Sequence, residues 1–309
     1  MPFSLSQRDP ILHAEALSAF ERASQCSHED ITRSIGGSAL ALPDILAAKV
    51  KEAEEAGALP GQTGLEKITD PEVREVFERS LETTKAIYAK GQRFRGLDVP
   101  SYELFTNLDI ARLGERFQDM ESKDLEPQVL ITPQLSKQDT VRLFSDRTKD
   151  DNVLRHDGLW AYETITDTIW DKLNVPDANQ HQPTLTTPDG TVWTITLTSG
   201  TQKPQNLKMS HNDLKAMNVP LLTISQYTRL QLGNIQEGRP PVDGNTWTWL
   251  SGTFSAGAAA PFGRWGPGRG RVRVNWSDVG VRGGYLGSRS PEGYLIFEVL
   301  SLVVDIALA

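Results

Sequence analysis

The chain has 309 residues, 38% hydrophobic and 23% charged, with a net charge of −8. That is a globular composition, long enough for one large or two ordinary domains, and its acidic balance argues against a general nucleic-acid binder. One cysteine, Cys26, excludes an intrachain disulfide and a thiolate-rich zinc site.

The N-terminus has no basic stretch followed by an apolar core, so no secretory signal is expected and the default address is cytoplasmic. No apolar run approaches the ~20 residues that span a bilayer. Helices are expected around 8–25 and 43–57, the latter ending at Gly57. Asp70-Pro71 supplies an N-cap and a proline at the first helical position. Val73, Val76, Phe77, Leu81 and Ile87 follow at helical spacing, and Gly91 closes the run. Leu104, Leu108, Ile110, Leu113 and Phe117 give a second apolar face from about Tyr102 to Met120. Residues 1–124 therefore read as a helical region, whose apolar stripe could serve assembly into an oligomer.

At Glu126-Pro127 the pattern changes. The run 128–132 (QVLIT) is β-prone and closed by Pro133. Ser136 and Asp139 have capping-box spacing and open a helix to about Phe144. Residues 184–200 alternate on both sides of Pro188-Asp189-Gly190, a hairpin signal. A helix is expected from Ile224 to Glu237, stopped by Gly238 and Pro240-Pro241. Beyond it the chain is aromatic, glycine-rich and short-stranded. The most apolar stretch, 294–309, is short and broken by Glu298 and Asp305, and reads as a buried strand or partner-facing tail. The fold class is α+β, a helical region (1–124) followed by a domain of short strands and a few helices (125–309). The change of pattern predicts that the second part folds alone and that proteolysis cuts near 120–128.

Catalytic and metal motifs are not found. His13, His28, His156, His181 and His211 are not paired at ligand spacing, and GxSxG, the P-loop and a strand–turn–helix GxGxxG are missing. The carboxylate pairs Asp150/Asp151 and Glu54/Glu55 sit in charged, solvated surroundings, not in the apolar pocket that raises a general acid's pKa. Neither an enzyme nor a cofactor is expected. Asn275-Trp276-Ser277 is a formal glycosylation sequon, taken as a chance match.

The C-terminal motifs carry a resemblance. They are 246–253 (TWTWLSGT), a Gly/Ala-rich loop, Arg264-Trp265, 271–278 (RVRVNWSD) and 286–290 (LGSRS). This pattern resembles the C-type lectin-like domain of the variable proteins of diversity-generating retroelements, found in bacteria, archaea and their viruses. Residues 222–241 are similar to the helix preceding that module, and the resemblance covers 125–290. It implies a fixed aromatic scaffold with a last strand carrying Gly-x-Arg, as Gly287-Ser288-Arg289. It also implies a variable segment at about 260–290, mutated at template adenines to display a ligand-binding surface. The lectin-like fold also carries formylglycine-generating enzymes, but their active-site cysteines are missing from 125–309.

Adenine mutagenesis of Asn codons cannot yield Lys, Glu, Gln, Met or Trp. The first four types form about 16% of the chain, yet none occurs from Ser251 to Pro291. With uniform composition, the chance of that absence in a stretch fixed beforehand is on the order of one in a thousand. Trp265 and Trp276 would then be fixed scaffold, as would Trp247 and Trp249, with Val272, Val274 and Leu286 as apolar anchors. The segment holds six arginines (264, 269, 271, 273, 282 and 289) against one acid, Asp278. Candidate ligand-binding positions are Phe262, Arg264, Arg269, Arg273, Asn275, Ser277, Asp278, Arg282, Tyr285 and Ser288, rich in types found at binding hot spots and paratopes. The expected partner is a protein or other macromolecule. The alternative is nucleic acid, stacked on Trp265, Trp276 and Tyr285 and neutralised by the arginines. Trp276-Ser277-Asp278 faintly echoes the Trp-Asn-Asp of calcium lectins, but its partner motif is missing and one carboxylate offers too few oxygens, so no calcium site is expected.

Overall fold

The computed structural model describes residues 65, 68–90, 99–102, 107–148, 153–155, 158–175 and 182–289. The helices expected at 8–25 and 43–57, Cys26 and the apolar stretch 294–309 lie outside these residues.

Local signals start most helices. Asp70 Oδ1 accepts from the Glu72 and Val73 amides and opens α1 (Pro71–Ala89) at the proline. The second helix, α2, is described over Asn107–Ser122, and residues 103–106 lie outside the described residues. Tyr102 is buried against α1, its hydroxyl donating to the Phe77 carbonyl at 2.7 Å. Ser136 caps α3 (Lys137–Arg147) by accepting from the Asp139 amide. Two short helices went unforeseen: α4 (Asp167–Leu173), capped by Thr166, and α5 (His211–Ala216), capped by a Ser210/Asp213 box. The sixth, α6 (Ile224–Gln236), has a Thr223/Gln226 box.

The strands form two sheets. The first joins β1 (Pro127–Pro133), β3 (Thr184–Thr186) and β4 (Val192–Ser199) in the order β1-β4-β3, all antiparallel. Gly190, at φ +82°, turns the β3–β4 hairpin where sequence placed it. The second sheet joins β2 (Leu159–Ala161), β5 (Trp247–Trp249), β6 (Ala259–Gly266), β7 (Arg271–Asp278) and β8 (Leu286–Ser288). Its order is β2-β7-β6-β5-β8, with the central pairs antiparallel and both edge pairs parallel. Helices and mixed sheets together make the α+β class expected.

Helix α6 packs against β1, α1, β6 and β7 and is buried from Ile224 to Ile235. Several of its buried donors find partners inside the protein, although Ser225 Oγ, Arg229 Nε, Gln231 Oε1 and Asn234 Oδ1 have none. Gln231 donates to the Tyr227 hydroxyl and the Val242 carbonyl, and Arg229 to the Thr84 hydroxyl at 2.7 Å.

The hydrophobic core does not divide at Glu126-Pro127. Val73, Phe77, Ile87 and Ile110 belong to one buried cluster with Leu130, Trp193, Leu230 and Val274. Ser80 donates to the Val129 carbonyl at 2.7 Å, and Tyr88 meets Trp193 edge-on at 5.8 Å. The expectation of a removable helical part is corrected for α1 and α2. Amphipathic periodicity shows that a helix buries one face, not what it buries it against.

Candidate ligand-binding face

The β6–β7 hairpin sets the geometry. Its connection is a 3-10 turn, Pro267–Arg269, closed by Gly270 in the left-handed region. A Cβ on Gly270 would lie 2.7 Å from the Val153 carbonyl, so glycine serves both the φ and the close approach. Along both strands residues alternate between two faces. Gly263, Trp265, Val272 and Val274 are buried on the α6 side, where Gly263 leaves no room for a Cβ beside the Tyr227 ring. Phe262, Arg264, Arg271, Arg273, Asn275 and Ser277 take the other face and are half-buried. Strand register sets Phe262 opposite Asn275 and Arg264 opposite Arg273.

This outer face grades from covered to open. At the β5–β8 end, Leu214 of α5 packs in a small apolar cluster with Trp249, Ala260, Val279 and Leu286. Phe262 continues that cluster, edge-on to Trp247 at 4.6 Å and Trp249 at 5.7 Å. Beyond it lies a cluster of arginines stacked on indoles. Arg264 sits 4.7 Å over Trp247, and Arg273 5.1 Å over Trp160 and 6.0 Å over Trp247. Arg271 lies 5.8 Å over Trp160. Trp160 reaches this face because β2 pairs in parallel with β7, setting Trp160 beside Arg273. From Trp160 an aromatic row runs through Tyr162 and Trp276 to Phe254, each pair edge-on at 5.8 to 6.3 Å.

Among the described residues no carboxylate forms an ion pair with Arg264, Arg269, Arg271 or Arg273. Desolvation, and then the charges of Arg264, Arg271 and Arg269, hold Arg273 below the usual arginine range. The Nε atoms of Arg271 and Arg273 are shielded from water and make no hydrogen bond. Arg264 is fastened further, its Nη2 donating to the Gly244 carbonyl at 3.0 Å.

The sequence candidates separate into groups. Phe262, Arg264, Arg273, Asn275 and Ser277 share the sheet face, and Arg269 is exposed on the adjoining turn. Asp278 is exposed but has the opposite strand parity, and its Oδ1 accepts from the Gly280 amide. Tyr285 is 57% exposed on the β7–β8 loop. Arg282 is exposed but engaged, its Nε and Nη2 donating to Asp213 at 2.8 and 2.6 Å, so it ties that loop to α5. Ser288 is a correction. It is fully buried and accepts from Asn206 Nδ2 at 2.9 Å, because β8 is closed by β5 on one side and by Gln205 on the other. Trp276 is also corrected. It is 37% exposed and belongs to the aromatic row, whereas Trp249 and Trp265 are core and Trp247 is half-buried under Arg264.

Trp160, Tyr162 and Arg271 were missed. The alternation Leu159-Trp160-Ala161-Tyr162 was the available signal, but a three-residue strand is too short for periodicity to declare. The alternative's stacking residue Trp265 is buried and offers no ring to a base.

Behind the face, Arg289 and Asp243 form a fully buried ion pair. Arg289 Nη2 donates to Asp243 Oδ1 at 2.9 Å and its Nε to Oδ2 at 3.1 Å, while Nη1 donates to the Ser199 carbonyl. Tyr227, Thr246 and Thr248 hydroxyls also donate to Asp243. Burial, then the Asp243 charge, push the Tyr227 phenol well up. This network joins β4, α6, β5 and the end of β8 beneath the display face. Among the described residues no group of three His, Cys, Asp or Glu side chains could hold a metal, and no helix is long and apolar enough to cross a membrane.

No family model, curated protein or solved structure matches the chain.

Proposed function

We propose that the protein is a ligand-binding module that displays the outer β6–β7 face to a macromolecular partner, on a C-type lectin-like scaffold diversified by a retroelement. One observation carries the reading: core and display duties alternate from Pro261 to Gly266 and from Arg271 to Asn275. Buried Gly263, Trp265, Val272 and Val274 interleave with half-exposed Phe262, Arg264, Arg273 and Asn275. Every one of those outward residues is reachable from an Asn codon by adenine mutation. Of the two residues in the strands that are not, Trp265 has the inward parity and is buried, while Trp276 shares that parity but is exposed in the aromatic row. The reading is supported by Arg289, which follows Gly287-Ser288 at the end of the last strand and is buried in an ion pair with Asp243, as a fixed scaffold residue would be. The face offers guanidinium forks and indoles, and no acid–base pair, so binding rather than catalysis is the reading.

Sequencing the DNA around the gene tests it. A near-copy of the segment encoding about 260–290, differing at adenines and lying beside a reverse transcriptase gene, is expected. A flanking region with neither would remove the diversification and leave only a fixed binding face.

A further inference from the structure

We propose that the arginine–tryptophan part of this face binds an acidic segment of a partner protein through side-on guanidinium–carboxylate pairs. The proposal rests on the reading of the outer face as a ligand surface and names the chemistry of what it takes.

Three observations point there. Arg264, Arg269, Arg271 and Arg273 crowd one hairpin with no acidic ion-pair partner among the described residues, on a chain whose net charge is −8. Like charges held together in partial burial are costly until an anion arrives. The Nε donors of Arg271 and Arg273 are shielded and unbonded, and a buried N–H without an acceptor costs about 1–3 kcal/mol. Turning either guanidinium onto a carboxylate supplies the acceptor, because Nε–H and Nη–H form a fork matched to two carboxylate oxygens. The indoles of Trp160 and Trp247 support the Arg271 and Arg273 guanidinium groups from one side, which lowers the ordering cost of binding.

The spacing suits a polypeptide. Arg271 and Arg273 are two apart on one strand, so their side chains repeat at about 6.5–7 Å, the repeat of alternate side chains on an extended peptide. Nucleic acid suits the site less well. The Trp160 and Trp247 ring faces that would take bases already carry guanidinium groups. A long polyanion would also run off a patch one hairpin wide onto a chain that is otherwise acidic.

The test uses the full chain and two labelled probes of equal formal charge, a Glu-rich peptide and a single-stranded oligothymidylate, read by fluorescence polarisation across a salt series. The peptide should bind more tightly than the oligonucleotide. Arg273→Gln should weaken it about tenfold or more. Arg273→Lys should also weaken it, since charge without the fork is not enough. Arg142→Gln, on the exposed side of α3, should leave it unchanged. Melting curves establish that each variant is folded. Peptide binding that is indifferent to Arg273→Gln and Arg264→Gln overturns the proposal. Tighter, arginine-dependent binding of the oligonucleotide overturns the acidic-protein assignment but keeps the face as a ligand surface. If neither probe binds, the acidic-protein proposal is overturned, and the flanking-DNA result above decides the ligand-surface reading separately.

Discussion

Asp243→Asn isolates the charge that holds the scaffold together. Asp243 has φ +62°, a conformation that asparagine tolerates, so the change is nearly isosteric and leaves the backbone unstrained. It removes one charge from a pair in which both side chains are 0% exposed. Arg289 then keeps the Ser199 carbonyl and one amide oxygen as acceptors but loses its counter-ion. Breaking a buried pair from one side costs about 3–5 kcal/mol. For a unit spanning Gly61–Tyr294, each kcal/mol shifts the melting temperature by about 2–4 °C, so a fall of roughly 10 °C is expected. Thermal and urea unfolding followed by circular dichroism would measure it. Adding Arg289→Met should recover part of the loss, because two neutral residues leave no unpaired buried charge. A loss below about 1 kcal/mol in Asp243→Asn would refute the argument that this pair fastens the last strand.

Trp249→Ala should cost about 3–5 kcal/mol, while Trp276→Ala should cost less than half of that, since Trp276 is partly exposed; equal losses in urea unfolding would put Trp276 back in the core. A chain starting at Glu126 should fail to fold cooperatively, because it loses the α1 and α2 surfaces against Val129, Leu130 and Trp193; a sharp melt would contradict the shared core. The Arg282 guanidinium, followed by the Ser210 amide and hydroxyl, holds the Asp213 carboxyl well below its ordinary 3.8. A depressed folded pKa contributes stability that is present above pH 3.8 and is lost as pH falls through the folded value. Asp213→Asn should therefore flatten the acid limb of a stability–pH curve; an unchanged limb would show that the tie is negligible.

The elements that sequence marked correctly are those closed by neighbours in the chain. Asp70-Pro71, the Ser136/Asp139 spacing and Pro188-Asp189-Gly190 each complete their hydrogen bonds within a few residues. The display alternation at 271–275 was legible for the same reason, since strand period needs no partner to be visible. What stayed hidden depends on distant pairing. Trp160 becomes part of the face only through the register of β2 on β7, and Ser288 is buried only because Gln205 closes the outer edge of β8. Ser288 was placed among the display candidates by residue type alone, and its neighbour Gly287 is there because the Gln205 carbonyl leaves no room for a Cβ.

The separation of scaffold from display is tested most directly by two libraries. One randomises Phe262, Arg264, Arg271, Arg273, Asn275 and Ser277 together with codons reachable from Asn; the other treats Gly263, Trp265, Val272 and Val274 alike. Protease resistance sorts folded members of each. Most of the outward library should remain folded, since surface changes usually stay within about 0.5 kcal/mol each, while most of the inward library should be lost. Equal loss in both would mean that the outer face carries the fold, and the display reading would be contradicted.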